Sequence, residues 1–358
     1  MKSFDEIVKR GHEQVNYFHD PLTNLKAIVA VHSTILGPSL GGCRMMEYES
    51  DEKALIDVLR LSKGMTYKAA ISDLKLGGGK SVIIGNPKQD KSERLLEKFG
   101  EFVEGLNGRY ITAEDMGTTV EDMAIIKNKT QYVTGTSESL GGSGDPSDFT
   151  SYGTYIGIKA AVLHKLKRNS LDGLSIFIQG VGNVGMKLIS YLCKEDVKIY
   201  IDDKDEEKVE KCVSKFNAID VKGQDYYNLN VDIYSPCAIG ATINDKSISK
   251  LKCKIVAGAA NNVLEDYKKH GDALFRKEIL YAPDYVINAG GLINIYNELG
   301  TYDRKSVFNQ VEKIHDTLMT VFSESDNMGV PTNIIADMLA EEKIKNKIAQ
   351  SQFEHTKG

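Results

Sequence analysis

Lys68 and Lys80, twelve positions apart, are the residues of this chain whose type and setting best suit chemistry. Lys80 follows three glycines in Leu76-Gly77-Gly78-Gly79-Lys80-Ser81 and heads the apolar run Val82-Ile83-Ile84. Removing three side chains in a row costs backbone entropy and opens left-handed conformations. The gain is close approach: the backbone can lie against a small ligand or a neighbouring element while the lysine projects into the space created. A phosphate-binding P-loop needs a glycine five residues before its Gly-Lys-Ser, and this chain has Leu74 there. Lys68 ends the run Gly64-Met65-Thr66-Tyr67-Lys68. Two amines brought together in a partly dry cleft depress each other's pKa, since like charge and desolvation both disfavour the charged form. A neutral amine near pH 7 is a general base or a nucleophile. A solvated surface charge is the competing reading of either lysine alone.

A second chemical signal lies in the other half of the chain. Leu174-Ser175-Ile176-Phe177-Ile178-Gln179 reads as a strand and runs into Gly180-Val181-Gly182-Asn183-Val184-Gly185, then into the helical Met186–Cys193. The next strand, Val197–Ile201, ends in Asp202-Asp203, and Asp202 lies 22 residues after Gly180. Strand, glycine turn, helix and a distal acid together form a dinucleotide fingerprint. Gly180, Gly182 and Gly185 give the tight turn and the approach to a pyrophosphate, Asn183 and Val184 lie in that same cofactor-binding turn, the N–H groups of the helix that follows face the phosphates, and Asp202 meets the adenosine ribose. A carboxylate there repels a 2′-phosphate, which favours NAD over NADP, although Lys204 is nearby.

The surrounding elements must position these groups. With 358 residues and 41% hydrophobic side chains, the chain can build two domains with real cores. Net charge is −5, so neither nucleic acid nor an anionic membrane is an expected partner. The N-terminus lacks an apolar signal core, and no apolar run reaches the roughly 20 residues of a membrane span. Five widely spaced cysteines without a Cys-x-x-Cys pair fit reduced thiols in a cytoplasm, and the seven histidines form no zinc spacing, so no metal is expected. Residues 4–15 read as a helix through Phe4, Ile7, Val8 and Val15, and Leu25–His32 as a strand. Gly37-Pro38-Ser39-Leu40-Gly41-Gly42-Cys43-Arg44 reads as a loop. Asp51 onward is helical with Leu55, Val58, Leu59 and Ser62 on one face. Val82–Ile84 is a strand, Glu93–Leu106 a helix, and Arg109–Asp115 a strand ending in acids. Gly, Ser and Pro crowd residues 136–146, the expected hinge, before a helix from Ser147 to about Arg168. Strands at Val231–Tyr234, Ile255–Val256 and Tyr285-Val286-Ile287, the last leading to Asn288-Ala289-Gly290-Gly291, continue a nucleotide domain. Helices over Leu292–Leu299, from Ser306 to about Phe322 and from Thr332 to Ile348 close the chain. The fold class is α/β: two domains, with a doubly wound Rossmann domain as the second.

Five motifs carry a resemblance: Gly-Pro-Ser-Leu-Gly-Gly-Cys-Arg at 37–44, Gly-Met-Thr-Tyr-Lys at 64–68, Leu-Gly-Gly-Gly-Lys at 76–80, Gly-Arg-Tyr-Ile-Thr-Ala-Glu-Asp at 108–115 and Tyr-Ala-Pro-Asp-Tyr-Val-Ile-Asn-Ala-Gly-Gly at 281–291. In this order, over essentially the whole chain, they resemble the glutamate/leucine/phenylalanine/valine dehydrogenases, most of all the branched-chain members. The resemblance implies NAD-dependent oxidative deamination of an L-amino acid to a 2-oxo acid and ammonium. It implies a substrate-binding and oligomerisation domain over 1–135 plus 331–358, an NAD-binding Rossmann domain over 147–330, a cleft that closes for hydride transfer, and a homo-oligomer, an octamer by family. Lys68 would hold the substrate carboxylate, Lys80 would activate the attacking water, and Asp115 would move protons to and from the amine. Taken singly, Lys68 reads as a surface lysine and Asp115 as a helix-capping acid before Gly117-Thr118-Thr119. Gly41, Gly42 and Asn262 would line the carboxylate and nicotinamide side, and Thr150 would reach the cofactor.

The resemblance also bears on specificity. Glutamate-specific members place a lysine just before the Gly-Gly pair to meet the distal carboxylate, whereas this chain has Leu40. An uncompensated carboxylate would be costly to desolvate there, so glutamate is expected to be a poor substrate. Ala113, Leu292 and Ile295 would complete an apolar wall, with ordinary core packing as the alternative for each. Leu292 and Ile295 replace the valines usual in branched-chain members and would narrow the pocket toward valine or isoleucine. One methylene is worth about 1–3 kcal/mol of discrimination. Ala69-Ala70-Ile71, Asp145, Asp148 and Asn261 are further departures, bearing on fine specificity and the hinge.

Overall fold

The computed structural model describes residues 3–355 except 138, 140 and 239. Two residues of the expected hinge, 138 and 140, and the extreme ends of the expected substrate domain therefore lie outside the described residues. The chain divides into two compact units, one of Met1–Asp145, Ile295–Tyr302 and Ala340–Gly358, the other of Pro146–Asn294 and Asp303–Leu339.

The first unit opens with helix α1 (Ser3–Arg10), strand β1 (Gln14–Asp20), β2 (Leu25–Ser33) and β3 (Ser39–Met46). Helix α2 (Asp51–Ile71), strand β4 (Gly77–Ile84), helix α3 (Glu93–Glu104), strand β5 (Tyr110–Glu114) and helix α4 (Val120–Lys127) follow. The sheet order is β1-β2-β4-β3-β5. β1, β2 and β4 pair antiparallel, whereas β3 lies parallel to both β4 and β5. Helix α2 starts where Ser50 caps the Lys53 N–H at 3.3 Å, and it buries Leu55, Val58, Leu59 and Ser62 as their spacing predicts. Ile28, Ala30 and Val82 meet that apolar stripe on one sheet face; on the other, Val29, Val31, Cys43, Met45 and Ile83 pack with Leu96, Phe99 and Val103 of α3.

The glycine-rich segments depart from the sequence expectation. Residues 37–44 were expected as a loop, but Ser39 onward is the strand with neighbours on both sides. All three glycines at 77–79 also lie in a strand, and none has the left-handed conformation their run allows. Glycine is depleted in strands, so local composition speaks against both assignments. Crowding explains the override: a Cβ at Gly41 would overlap the Gly79 carbonyl, at Gly77 the Ser33 carbonyl, and at Gly78 the Thr66 and Ser62 backbone of α2. The first helix is also shorter than expected, because Val15 belongs to β1, and α4 has no counterpart in the sequence reading.

The second unit begins with helix α5 (Ser147–Leu166) and strand β6 (Ser175–Gln179), then α6 (Asn183–Leu192), β7 (Lys198–Asp202), α7 (Glu206–Phe216), β8 (Ile219–Asp220) and β9 (Ile233–Pro236). It continues through α8 (Asp245–Lys250), β10 (Ile255–Val256), α9 (Tyr267–Arg276), β11 (Leu280–Tyr281), α10 (Asp284–Ile287), α11 (Gly290–Asn297), α12 (Arg304–Met328) and α13 (Thr332–His355), where the last residues of α11 and α13 count with the first unit. The strand order β11-β10-β9-β6-β7-β8 is wholly parallel and is the doubly wound arrangement expected of a Rossmann domain. One strand differs from the expectation: Tyr285-Val286-Ile287 lies in α10, entered through Pro283, and the sixth strand is Leu280–Tyr281. A three-residue apolar run is buried equally well as helix or strand, so periodicity could not separate them.

Candidate active site

In the first unit the sheet register sets the chemistry. Leu40 pairs with Gly78 and Cys43 with Ser81, which brings Gly42 beside Lys80, and Gly42 pairs on its other side with Ala113. Paired positions in a sheet face the same way. Leu40, Gly42, Lys80 and Ala113 therefore share the face on which α2 packs, and Lys68 is in the last turn of that helix. Asp115 follows directly on the end of β5. Lys80 Nζ donates to Asp115 Oδ2, and the pair is largely buried. A Cβ at Gly42 would collide with the Glu114 carbonyl and the Asp115 Cβ, so the glycine is what leaves room for this pair.

The charged partner that the structure gives Lys80 is thus an acid. Burial pushes the Asp115 carboxyl upward, but the charges of Lys80 and Arg44, the Lys80 hydrogen bond and the Met116 N–H outweigh it, so Asp115 titrates below the usual carboxylate range. The helix-cap alternative for Asp115 fails, because Thr119 caps α4, with Asp122 completing a capping box. Leu40 and Ala113 are fully buried, and Lys68 is half-buried.

Three neighbours escaped the sequence reading. Arg44 on β3 donates through Nε and Nη2 to Asp115 Oδ1 at 3.3 Å each, and through Nη1 to Asp57 Oδ2 at 2.9 Å. The Tyr110 hydroxyl donates to the Gly41 carbonyl at 2.6 Å from a fully buried ring. Thr118 Oγ1 accepts from the Asp115 N–H at 3.0 Å and donates to the Cys43 carbonyl at 2.8 Å. Arg44 and Tyr110 stood inside quoted motifs, yet nothing local said which groups they would meet.

In the second unit the three fingerprint glycines have distinct reasons. Gly180 has φ +99°, and a Cβ there would strike Ala238; a Cβ at Gly185 would overlap the Gly180 carbonyl. Gly182 is different: its φ of −67° suits any residue, and a Cβ would meet nothing within 4 Å. No protein contact requires glycine there, and the open space leaves the backbone accessible in the way a pyrophosphate site needs. Asn183 begins α6, one turn earlier than the Met186 expected, with Val184 and Gly185 in its first turn. Asp203 is occupied locally, accepting from the Val181 N–H at 2.7 Å, whereas Asp202 ends β7. Burial, then Asp220 and Asp203, raise the Asp202 carboxyl above its ordinary value.

Thr150 lies in the first turn of α5, donating to the Pro146 carbonyl at 3.1 Å, and a Cβ at Gly291 would press on its hydroxyl. Asn262 is exposed in a left-handed turn with φ 51°, after the end of β10. Leu292 is buried in α11, and Ile295, further along that helix, is half-buried and counts with the first unit. Among the described residues no three His, Cys, Asp or Glu side chains are grouped to hold a metal ion, and no helix is long and apolar enough to cross a membrane.

One unit holds a wholly parallel dinucleotide-type sheet and the other buries a lysine–aspartate pair; together these define a class, and the chain belongs to the glutamate/leucine/phenylalanine/valine dehydrogenases: it is an amino-acid dehydrogenase. Residues 12–132 match the family model described as "Glu/Leu/Phe/Val dehydrogenase, dimerisation domain", and residues 193–332 match "Glutamate/Leucine/Phenylalanine/Valine dehydrogenase". Its similarity to leucine dehydrogenase of Bacillus cereus is 49% identity over 344 residues, 96% of this chain and 94% of that one. L-tryptophan dehydrogenase of Nostoc punctiforme is 47% identical over 97% of each chain. A crystal structure of L-tryptophan dehydrogenase from that organism superposes with a TM-score of 0.86, at 44% identity, covering 97% of this chain and 99% of the other.

Proposed function

We propose that the protein catalyses the reversible, NAD-dependent oxidative deamination of branched-chain L-amino acids to 2-oxo acids and ammonium. The observation that carries this is the buried Lys80–Asp115 pair on the same sheet face as fully buried Leu40. An amine and an acid in contact suit chemistry at an amino-acid Cα, and an aliphatic side chain where a distal carboxylate would need a cation suits a hydrocarbon substrate.

In this reading Lys68 binds the substrate carboxylate as a point charge, with Gly41 and Gly42 keeping the backbone close. The bound nicotinamide supplies the acceptor for the hydride that leaves the substrate Cα. Lys80 then activates the water that attacks the iminium carbon. Asp115, bonded to Lys80 through Oδ2, exchanges protons with the amine as ammonium departs. Gly180, Gly182, Asn183, Val184 and Gly185 hold the pyrophosphate, Asp202 the adenosine ribose, and Thr150 and Asn262 the nicotinamide side. Leu40, Ala113, Leu292 and Ile295 provide the apolar wall. The domain assignment is that of residues 1–135 plus 331–358 to substrate binding and oligomerisation, and of 147–330 to NAD. The enzyme works as a homo-oligomer, an octamer, in the cytoplasm.

The L-tryptophan dehydrogenase relative favours a second reading, the same chemistry on an aromatic side chain. Initial rates of NADH formation with leucine, valine, isoleucine, phenylalanine, tryptophan and glutamate separate the two. Branched substrates are expected to lead, and a kcat/KM for phenylalanine or tryptophan above all three would overturn the first reading. Binding of NAD with no turnover of any of the six would leave a non-catalytic NAD sensor.

A further inference from the structure

The two oxygens of Asp115 are divided between different partners. Oδ2 faces Lys80, while Oδ1 is held by Arg44 Nε and Nη2 at 3.3 Å each and by the Met116 N–H at 2.5 Å. Arg44 does not act from a loose surface position. Its side chain keeps only 14% of its exposure, and its remaining arm is fixed 2.9 Å from Asp57 Oδ2. Asp57 is itself held by the Tyr48 hydroxyl at 3.0 Å and by Arg60 Nη2 at 3.0 Å. Asp57 belongs to α2, the helix with Lys68 in its last turn, so one guanidinium ties that helix, strand β3 and the carboxylate after β5.

We infer that Arg44 is a positioning residue for the deamination reaction: its fork, braced on Asp57, locks the Asp115 carboxylate with Oδ1 occupied and Oδ2 turned to Lys80. The inference rests on the Lys80–Asp115 chemistry proposed above. A carboxylate on one rotatable bond can present either oxygen, and a catalytic proton transfer loses rate steeply when the acceptor turns away. Three donors on one oxygen remove that freedom. A planar fork spans two carboxylates at once, whereas an ammonium on a flexible stem acts as a single point. The fixed cation also keeps Asp115 ionised against its burial.

The charges facing Asp115 come from several elements: Lys80 on β4, Arg44 on β3, Glu114 beside it on β5, and Asp57 and Tyr48 behind Arg44. Among these, Arg44 can be changed without touching a group that the mechanism gives to substrate. The test is the pH dependence of kcat/KM for leucine, or the best substrate of the panel, at saturating NAD, in wild type, Arg44→Met, Arg44→Lys and Asp57→Asn, with circular dichroism as a check on folding. Arg44→Met is expected to move the acidic limb upward by about one pH unit and to cut kcat about 10- to 100-fold. KM for NAD stays within about twofold, since the cofactor residues are elsewhere. Arg44→Lys is expected to return the limb toward wild type, because the charge is kept, while kcat stays low, because the fork is lost. Asp57→Asn, which leaves Arg44 unbraced, should lower kcat with little movement of the limb.

An unmoved limb together with a kcat within twofold of wild type in Arg44→Met overturns the inference. So does full rescue of kcat by lysine, which would make charge alone sufficient. If Arg44→Met does not fold, Arg44→Lys and Asp57→Asn decide the matter by the same criteria. Wild-type turnover with unmoved variants defeats this inference alone, whereas a wild type that oxidises none of the panel defeats the functional reading and this inference with it.

Discussion

Lys80 reaches Asp115 across Gly42, a residue of the strand that separates theirs. β3 lies between β4 and β5, and Gly42 is flanked by Lys80 on one side and paired with Ala113 on the other. An ion pair can bridge over a middle strand only where that strand raises no side chain on the shared face, and Gly42 raises none. Gly42 is therefore part of the site's geometry, whereas Gly41 serves the sheet's packing.

Replacing Lys80 tests the centre of that arrangement. Lys80→Ala is expected to lower kcat for leucine oxidation by about 10³-fold, within the span that positioned acid–base groups supply, with NAD binding retained. Absorbance of NADH and a fluorescence titration with NAD measure the two independently. Turnover near the wild-type rate would remove Lys80 from the mechanism.

Gly42→Ala introduces one methyl where the Glu114 carbonyl and the Asp115 Cβ already stand. Backbone must shift, and overpacking of this kind costs about 1–3 kcal/mol. Thermal melts should show a lower Tm, and activity should fall further than stability does, because the displaced group is Asp115 itself. At Gly182, where no neighbour lies within 4 Å, alanine should leave Tm nearly unchanged and weaken NAD binding instead.

Asp202 is crowded by Asp220 and Asp203, so a 2′-phosphate would enter a region of accumulated negative charge. Asp202→Ser is expected to raise the NADP-to-NAD ratio of kcat/KM by about tenfold or more. An unchanged ratio would place cofactor discrimination elsewhere.

A buried histidine pair makes stability depend on pH. The His12 and His32 rings meet edge to face with centroids 4.8 Å apart; His12 Nε2 lies 3.0 Å from the Leu59 carbonyl, and His32 Nδ1 lies 2.8 Å from Thr66 Oγ1. Burial, then the neighbouring His32, lowers His12 to about 4, and burial, then Lys63, lowers His32 to about 4. In the unfolded chain each titrates near 6.5. Above about pH 6.5 neither state binds the proton, and the full stability is present. Between about 6.5 and 4 the unfolded chain takes up protons that the folded one refuses, so stability falls as the pH drops. Urea midpoints measured from pH 8 to 4 should decline over that window, and the decline should be shallower in His32→Gln.

Sequence alone determined the features whose parts are neighbours in the chain. The turn from β6 into α6, the acid ending β7 and the apolar stripe of α2 are local, with periods and spacings that hydrogen bonding and side-chain geometry impose over one or two elements. The five motifs also carried the family, and with it the choice of Lys80 and Asp115. Tertiary structure decided what depends on distant partners. Gly41 and Gly42 read as a loop because a run of glycines has no intrinsic preference for a strand, and only the strands pressing from either side make a strand of them. The Asp115 carboxylate is met by Lys80 from 35 residues away and by Arg44 from 71, separations at which no spacing rule applies. Residues that far apart become neighbours through sheet register, which is fixed by the packing of the whole unit rather than by any segment of it.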